Sequence, residues 1–159
     1  MVASLGGIIF YEFYGDNTGG TELDVDGDGT ATQEDEFVSV QNTSGAAIDI
    51  SGWQIWSDSA GAGAPDRPQD GLYHTFPPGT ELASGETLRI VNEITGTPKA
   101  GMQEASEGGV ESGSGGTSTN FLSEGGNSRH AESVGLVDPS TGDYIILNLN
   151  GSKASGVPG

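Results

Sequence analysis

An acidic segment in the first quarter of the chain has the residue spacing of a metal-binding loop. Residues 24–35 have the sequence DVDGDGTATQED, with carboxylates at loop positions 1, 3, 5 and 12 and a glycine at position 6. Position 7 would contribute the backbone carbonyl of Thr30, and position 9 the Thr32 hydroxyl or a water molecule. Alternate carboxylates in a sharply turned loop converge on one point, and Ca²⁺ takes roughly six to eight such oxygen ligands. The spacing therefore predicts a calcium site.

Two neighbouring carboxylates compete to close the coordination shell. Asp35 stands at position 12, as in the loops of dockerin-type modules, which this loop resembles, and Glu36 is the alternative bidentate ligand. A solvated acidic turn without a metal is the competing interpretation, because Asp-Gly pairs are common in hairpin loops. Agreement at seven loop positions favours the metal. The predicted ligands are Asp24, Asp26, Asp28, Thr30, Thr32, Asp35 and Glu36.

The elements around this loop are predicted to be strands. Short apolar runs are separated by turn-forming residues, and hardly any stretch sustains a helical period over ten residues. About seven strands are expected, and a two-sheet β-sandwich with long Gly-rich loops is the economical all-β arrangement. Because a strand leaves the acidic loop where an EF-hand would begin a helix, the pattern favours a structural calcium site over a sensor. The predicted strands cover residues 8–13, 37–41, 48–50, 53–58, 87–91, 133–138 and 144–149.

Alternation within these strands predicts which side chains face the core. Ser39 and Trp56 are expected on the faces opposite to the core. Trp56, Tyr73 and Tyr144 are candidate stacking residues for a sugar or a protein partner, although the sequence favours their burial under the Gly- and Pro-rich segment 59–72. The residues expected to point inward are Val38, Val40, Trp53, Ile55, Leu88 and Ile90.

Other catalytic chemistry has little support in the sequence. The two histidines, His74 and His130, have no nucleophile elbow of the form Gly-x-Ser-x-Gly to serve. Two distant histidines in a chain without cysteine also make a poor zinc site. His74 precedes a Pro-Pro-Gly turn and is expected to be a packing or surface residue.

The charge of the chain limits its partners. The sequence has 159 residues with 23 Asp and Glu against 5 Lys and Arg, a formal net charge of −18. Five scattered cations cannot form the basic surface that nucleic acids require, and the same excess argues against an anionic membrane. No window approaches a membrane span, and no signal peptide is visible at the N-terminus. We therefore expect no nucleic-acid partner and no membrane-spanning segment.

The glycines mark the expected boundaries of the domain. There are 28 glycines, and segments 59–72 and 101–127 are rich in small residues. Segment 101–127 has too few bulky apolar residues to offset the entropy of ordering, so it is predicted to be a flexible insertion within one domain. The domain is expected to cover residues 6–150, followed by a flexible tail over 151–159.

Three blocks of the sequence resemble the bacterial form of the lamin tail domain. Residues 35–42 (DEFVSVQN), 48–58 (IDISGWQIWSD) and 74–88 (HTFPPGTELASGETL) follow the family patterns DEFVEI-N, DLSGW-L-D and FPPGT-L-PG--L in order. Residues 8–13 match the opening strand, and bacterial members often carry an Asp- and Gly-rich insertion at the position of the acidic loop. Ser39 replaces a frequent Glu of the family. The resemblance implies an immunoglobulin-like β-sandwich.

The resemblance also implies a function. The chain is expected to be a non-catalytic, calcium-stabilised module of an extracellular or cell-surface bacterial protein, which mediates attachment to an unidentified protein or glycan. It is expected to be a monomer or a module of a larger chain. The alternative is a metal-dependent hydrolase, or an accessory domain of one, that uses the aspartate cluster as a catalytic metal site. Scaffolding with DNA contact, which the family name suggests, conflicts with the net charge of −18.

Overall fold

The computed structural model describes residues 3–14, 23–29, 31, 35–57, 72–106 and 133–148. In these ranges the chain forms β-strands and no α-helix, which confirms the all-β prediction. None of the residues described forms a helix long and apolar enough to span a membrane. The strands are β1 (Ile8–Tyr14), β2 (Phe37–Asn42), β3 (Ile48–Asp49), β4 (Gln54–Ser57), β5 (Leu72–Thr75), β6 (Glu81–Leu82), β7 (Thr87–Val91), β8 (Met102–Glu104), β9 (Ser133–Asp138) and β10 (Asp143–Asn148).

Two four-stranded sheets form the sandwich. The first sheet has the order β1-β2-β7-β8, and the second has the order β10-β9-β4-β5. A two-stranded sheet pairs β3 with β6. Neighbouring strands run antiparallel except β7 and β8, which are parallel. This arrangement agrees with the predicted immunoglobulin-like sandwich.

The main core contains the alternating residues of both sheets. Val38 and Val40 of β2 lie opposite Ile90 and Leu88 of β7, and all four are buried. The inward faces predicted from alternation are therefore confirmed for these strands. The second sheet contributes Ile55, Val134 and Leu136, and the half-buried Trp53 packs against the same cluster.

The outer face of the first sheet is also covered. Phe37, Val91 and Ile94 form a second buried cluster, which we call the outer cluster and to which Tyr14, Val25 and Met102 add partly buried contacts. Beside it, Ser39 is fully buried on the face opposite to Val38, as alternation predicts. Its hydroxyl accepts a hydrogen bond from the Glu12 amide at 2.8 Å. Phe37 and Ser39 are therefore buried on the outer face of β2, where Ser39 has a polar partner.

Three strands were not predicted from the sequence. They are β5, β6 and β8, and each has only two to four residues. The expected flexible insertion over 101–127 is wrong for its first residues, because β8 lies there and pairs with β7. The Ala105 amide donates to the Val91 carbonyl at 2.8 Å, and Met102 packs on the outer cluster. The predictions for residues 107–127, 59–71 and 151–159 lie outside the described residues.

Candidate metal centre

The acidic loop brings three of its predicted ligands together. One carboxylate oxygen from each of Asp24, Asp26 and Asp28 lies within 4.8 Å of the others. Two glycines make the required turns, because Gly27 and Gly29 have φ angles of 78° and 99°, a region that residues with a side chain rarely adopt. Gly29 occupies loop position 6, where the sequence predicted a sharp reversal.

Backbone amides of the loop hold these carboxylates in place. Asp24 accepts hydrogen bonds from the Gly27 amide at 2.5 Å and from the Gly29 amide at 3.1 Å. Asp26 Oδ1 accepts from the Asp28 amide at 3.0 Å. Amide dipoles directed at the carboxylates offset part of their mutual repulsion. The loop therefore positions three anionic side chains around one point through its own backbone.

Asp26 also fastens the loop to the rest of the fold. Its side chain is only 8% exposed, and Oδ2 accepts a hydrogen bond of 2.7 Å from the Thr95 amide in the connection between β7 and β8. The adjacent Val25 packs into the outer cluster. An ion bound at Asp26 would therefore be coupled to the packing on the outer face of the first sheet.

A lysine from the same connection lies against the loop. Lys99 Nζ is 3.5 Å from the Val25 carbonyl oxygen. A Cβ atom added at Gly27 would collide with the same Nζ, so the ammonium group packs directly on the turn. This positive charge partly balances the aspartates. Sequence reasoning missed both Lys99 and Thr95, because each lies about 70 residues from its loop partner and no local motif marks it.

The two candidates for closing the shell have different roles. Asp35 is fully buried, and its Oδ1 accepts hydrogen bonds from the amides of Val25 at 2.6 Å and Asp26 at 3.2 Å. The Asp35 side chain therefore closes the loop by binding backbone amides at its start. It is not part of the three-carboxylate group. Glu36 is fully buried, and its charge acts on Tyr73 in the interior. Thr30 and Thr32 lie outside the described residues.

The three-carboxylate group has the donor chemistry of a calcium site. Carboxylate oxygens bind Ca²⁺ at roughly 2.3–2.6 Å, so oxygens around one ion are separated by up to about 5 Å. The observed limit of 4.8 Å fits that requirement. Asp24 and Asp28 are exposed, which leaves room for water molecules to complete the shell. The residues present therefore fit a hard divalent cation.

The candidate stacking residues have different environments. Tyr73 is only 6% exposed, and its hydroxyl donates to Asn92 Oδ1 at 3.4 Å. Burial raises the pKa of Tyr73 well above its ordinary value. Tyr73 is buried, as the sequence favoured, because β5 pairs with β4 and its second residue packs in the main core, so its ring is not available for stacking. Trp56 is half-buried, with its indole N–H donating to Gln54 Oε1 at 3.1 Å.

Comparison with known proteins identifies the family. The sequence profile of the Lamin Tail Domain family matches residues 3–155, which is nearly the whole chain. No curated protein shows significant similarity to this sequence. The family match agrees with the two-sheet architecture and with the three sequence blocks in β2, around β4 and around β6. The chain therefore belongs to the lamin tail domain family, whose members are immunoglobulin-like, non-enzymatic domains.

Proposed function

We propose that this chain is a non-catalytic, calcium-stabilised attachment module of an extracellular or cell-surface bacterial protein. The observation that carries the proposal is the convergence of Asp24, Asp26 and Asp28 within 4.8 Å in a loop that packs on the first sheet. Ca²⁺ is the proposed cofactor. Millimolar calcium, as found outside cells, fills even a weak site.

The proposed role of the ion is structural. Three carboxylates held within 4.8 Å repel one another, and a divalent cation replaces that repulsion by attraction. The bound ion would keep Val25 on the outer cluster and Asp26 on the Thr95 amide. Because the unfolded chain lacks this arrangement, the free energy of binding adds to the free energy of folding.

The proposed partner is an extracellular protein or a glycan. The net charge of −18 disfavours nucleic acid and favours a soluble exterior. Trp56 remains the candidate contact, because its side chain is partly accessible and aromatic rings stack on sugars or protein surfaces. A Trp56→Ala variant that keeps its melting temperature but loses binding in a glycan array would support this assignment. Unchanged binding would remove Trp56 from the site.

A metal-dependent hydrolase is the second candidate, supported only by the exposed carboxylates of Asp24 and Asp28. Hydrolysis requires a general base next to the metal. His74 is unsuited to that role, since it is buried and both ring nitrogens are hydrogen-bonded. Turnover of ester, phosphoester or glycan substrates that depends on calcium and is lost in Asp28→Asn would favour the enzyme over the module.

Thermal unfolding with calcium and with a chelator tests the structural role. A site filled at 100 times its dissociation constant stabilises a protein by about 2.7 kcal/mol. For a chain of this length that corresponds to a rise in Tm of about 5 to 10 °C. The rise should disappear in Asp28→Asn and persist in Asp143→Asn, a matched charge change at an exposed aspartate of β10. Equal melting curves in calcium and chelator would contradict the proposal.

A further inference from the structure

His74 lies where the edge strands of the two sheets meet. It belongs to β5, the edge of the second sheet, and it contacts β8, the edge of the first. The side chain is 2% exposed, and its ring packs edge-on against Phe76 with the centroids 4.7 Å apart. A buried imidazole at this position connects the two sheets.

The hydrogen bonds of the ring fix its protonation state. The Ser106 amide lies 3.1 Å from His74 Nδ1, and a backbone N–H can only donate. His74 Nδ1 must therefore accept and carry no proton. The neutral ring then has its proton on Nε2, which donates to Gln103 Oε1 at 3.1 Å. The site accommodates the neutral Nε2–H tautomer, and the partner that the described residues give to Nδ1 is a donor, the Ser106 amide.

Further hydrogen bonds orient the two partners of the His74 ring, Gln103 and Ser106. Gln103 Nε2 donates to Thr80 Oγ1 at 3.4 Å, which fixes the orientation of the amide, and Thr80 Oγ1 donates to the Pro77 carbonyl at 2.7 Å. The Thr75 amide donates to Ser106 Oγ at 2.9 Å. Residues His74, Thr75, Gln103 and Ser106 thus hold the end of β8 against β5, and we call them the edge clasp.

We infer that the edge clasp is an acid-sensitive latch, in which protonation of His74 at Nδ1 breaks the bond to the Ser106 amide and releases the end of β8 from β5. A proton on Nδ1 would point at the Ser106 N–H, so two donors would face each other. The imidazolium would also lie in a site that excludes water. Both effects favour a separated clasp, in which His74 reaches solvent.

Among the residues that the structure describes, no other titratable group replaces His74 in this role. The titratable residues on neighbouring positions are Tyr73, Glu81 and Glu104, and β4 contributes none over Gln54–Ser57. Glu81 and Glu104 are exposed, and Glu104 accepts a hydrogen bond from the Ile94 amide. The buried Tyr73 stays neutral because burial raises its pKa. Burial lowers the pKa of His74 to about 4, so His74 in the closed clasp takes up a proton only as the pH approaches 4.

Linkage sets the size of the expected effect. The open clasp has a solvated histidine with a pKa of about 6.5, whereas the pKa of the closed form is about 4. The opening equilibrium constant therefore increases as the pH falls from 6.5 towards 4. From pH 7 to pH 5 the increase is about 20-fold.

Amide hydrogen exchange on the full chain, corrected for intrinsic rates, measures this opening. We expect the opening constant of the Ser106 amide to rise about 20-fold from pH 7 to pH 5. At each pH the opening constant of the Ser106 amide should exceed that of the Val40 amide in the inner strand β2, because the clasp opens while the sheets stay folded. The result should be the same with calcium and with chelator, which separates the latch from the proposed metal site. A flat profile at Ser106, or equal opening constants at Ser106 and Val40, would overturn the latch.

Two variants and the ring signals complete the test. His74→Gln should abolish the pH dependence at Ser106. If that variant does not fold, Gln103→Glu provides an independent check. A carboxylate beside Nε2 stabilises the imidazolium and should raise the pKa of His74, which an NMR titration measures. The His130 ring serves as the internal reference signal. A neutral His74 protonated at Nδ1, or an unchanged pKa in Gln103→Glu, would contradict the inferred geometry.

Discussion

The acidic loop and the edge clasp bind different points of the segment between β7 and the end of β8, and the two sites differ in charge and burial. Asp26 binds the Thr95 amide early in the segment between β7 and the end of β8, and His74 binds the Ser106 amide at its end. The loop presents three anionic carboxylates. The clasp uses one buried neutral ring.

Burial and charge explain why the two sites respond differently to cations. Asp24 and Asp28 of the loop are exposed, so water and a dissolved cation can both reach them. His74 is removed from water, so a positive charge there has no solvent to stabilise it. Positive charge is therefore expected to strengthen the first attachment and to weaken the second. Calcium should stabilise the attachment of this segment at Thr95, and protons should destabilise its attachment at Ser106.

The largest expected effect is acid destabilisation through His74. Its pKa is lowered from 6.5 to about 4 on folding, so its contribution to stability is complete above pH 6.5 and is lost as the pH falls towards 4. The full difference corresponds to about 3 kcal/mol in the free energy of unfolding. Denaturant unfolding between pH 7 and pH 4 measures it. His74→Gln should remove the slope above pH 5, and an unchanged slope would assign it to other groups.

A second prediction separates the structural role of Asp26 from its role as a ligand. In chelator, Asp26→Asn should lower the free energy of unfolding by about 1–2 kcal/mol, because the buried side chain would turn an N–H donor towards one of the two backbone amides from which it now accepts. Those donors are the amides of Asp28 and Thr95. Asp24→Asn is the matched control, since its exposed amide partners can bind water. Denaturant unfolding of both variants makes the comparison, and equal losses would contradict the anchoring role.

The smallest expected effect concerns a site that neither calcium nor mild acid should affect. Glu12 forms a two-point ion pair with Arg89, with distances of 2.9 and 3.1 Å, and both side chains are more than one third exposed. Glu12→Gln should therefore cost less than about 1 kcal/mol in denaturant unfolding.

The pH dependence of this ion pair should also differ from that of the clasp. The hydrogen bond from Arg89 lowers the pKa of Glu12 below 4.5, so its contribution is present above pH 4.5 and lost as the pH falls further. A change in the slope above pH 5 in Glu12→Gln would show that the ion pair and the clasp are coupled.

The sequence predicted the parts of the fold that local patterns determine. Val38, Val40, Leu88 and Ile90 alternate within strands of five or six residues, and that alternation identified their core faces. The aspartate spacing likewise predicted the convergence of Asp24, Asp26 and Asp28, because a turn brings residues close in sequence together.

The remaining features depend on long-range contacts. Strand β8 has three residues, and its hydrogen bonds to β7 and the packing of Met102 stabilise it despite a Gly- and Ser-rich context. Tyr73 was expected to lie under segment 59–72 because β5 was not recognised as a strand, whereas its side chain packs in the main core. Thr95 and Lys99 contact the acidic loop although each lies about 70 residues further along the chain. No local residue pattern predicts these long-range contacts.

A calcium titration followed by amide NMR signals tests the central claim most directly. The loop amides of Gly27 and Gly29 and the distant Thr95 amide should shift with one dissociation constant and a stoichiometry of one ion per chain. The chemical shift of the Ser106 amide, which donates to His74 in the edge clasp, should change little. Shifts that do not saturate, or a saturating site that leaves the Gly27, Gly29 and Thr95 signals unchanged, would contradict the account.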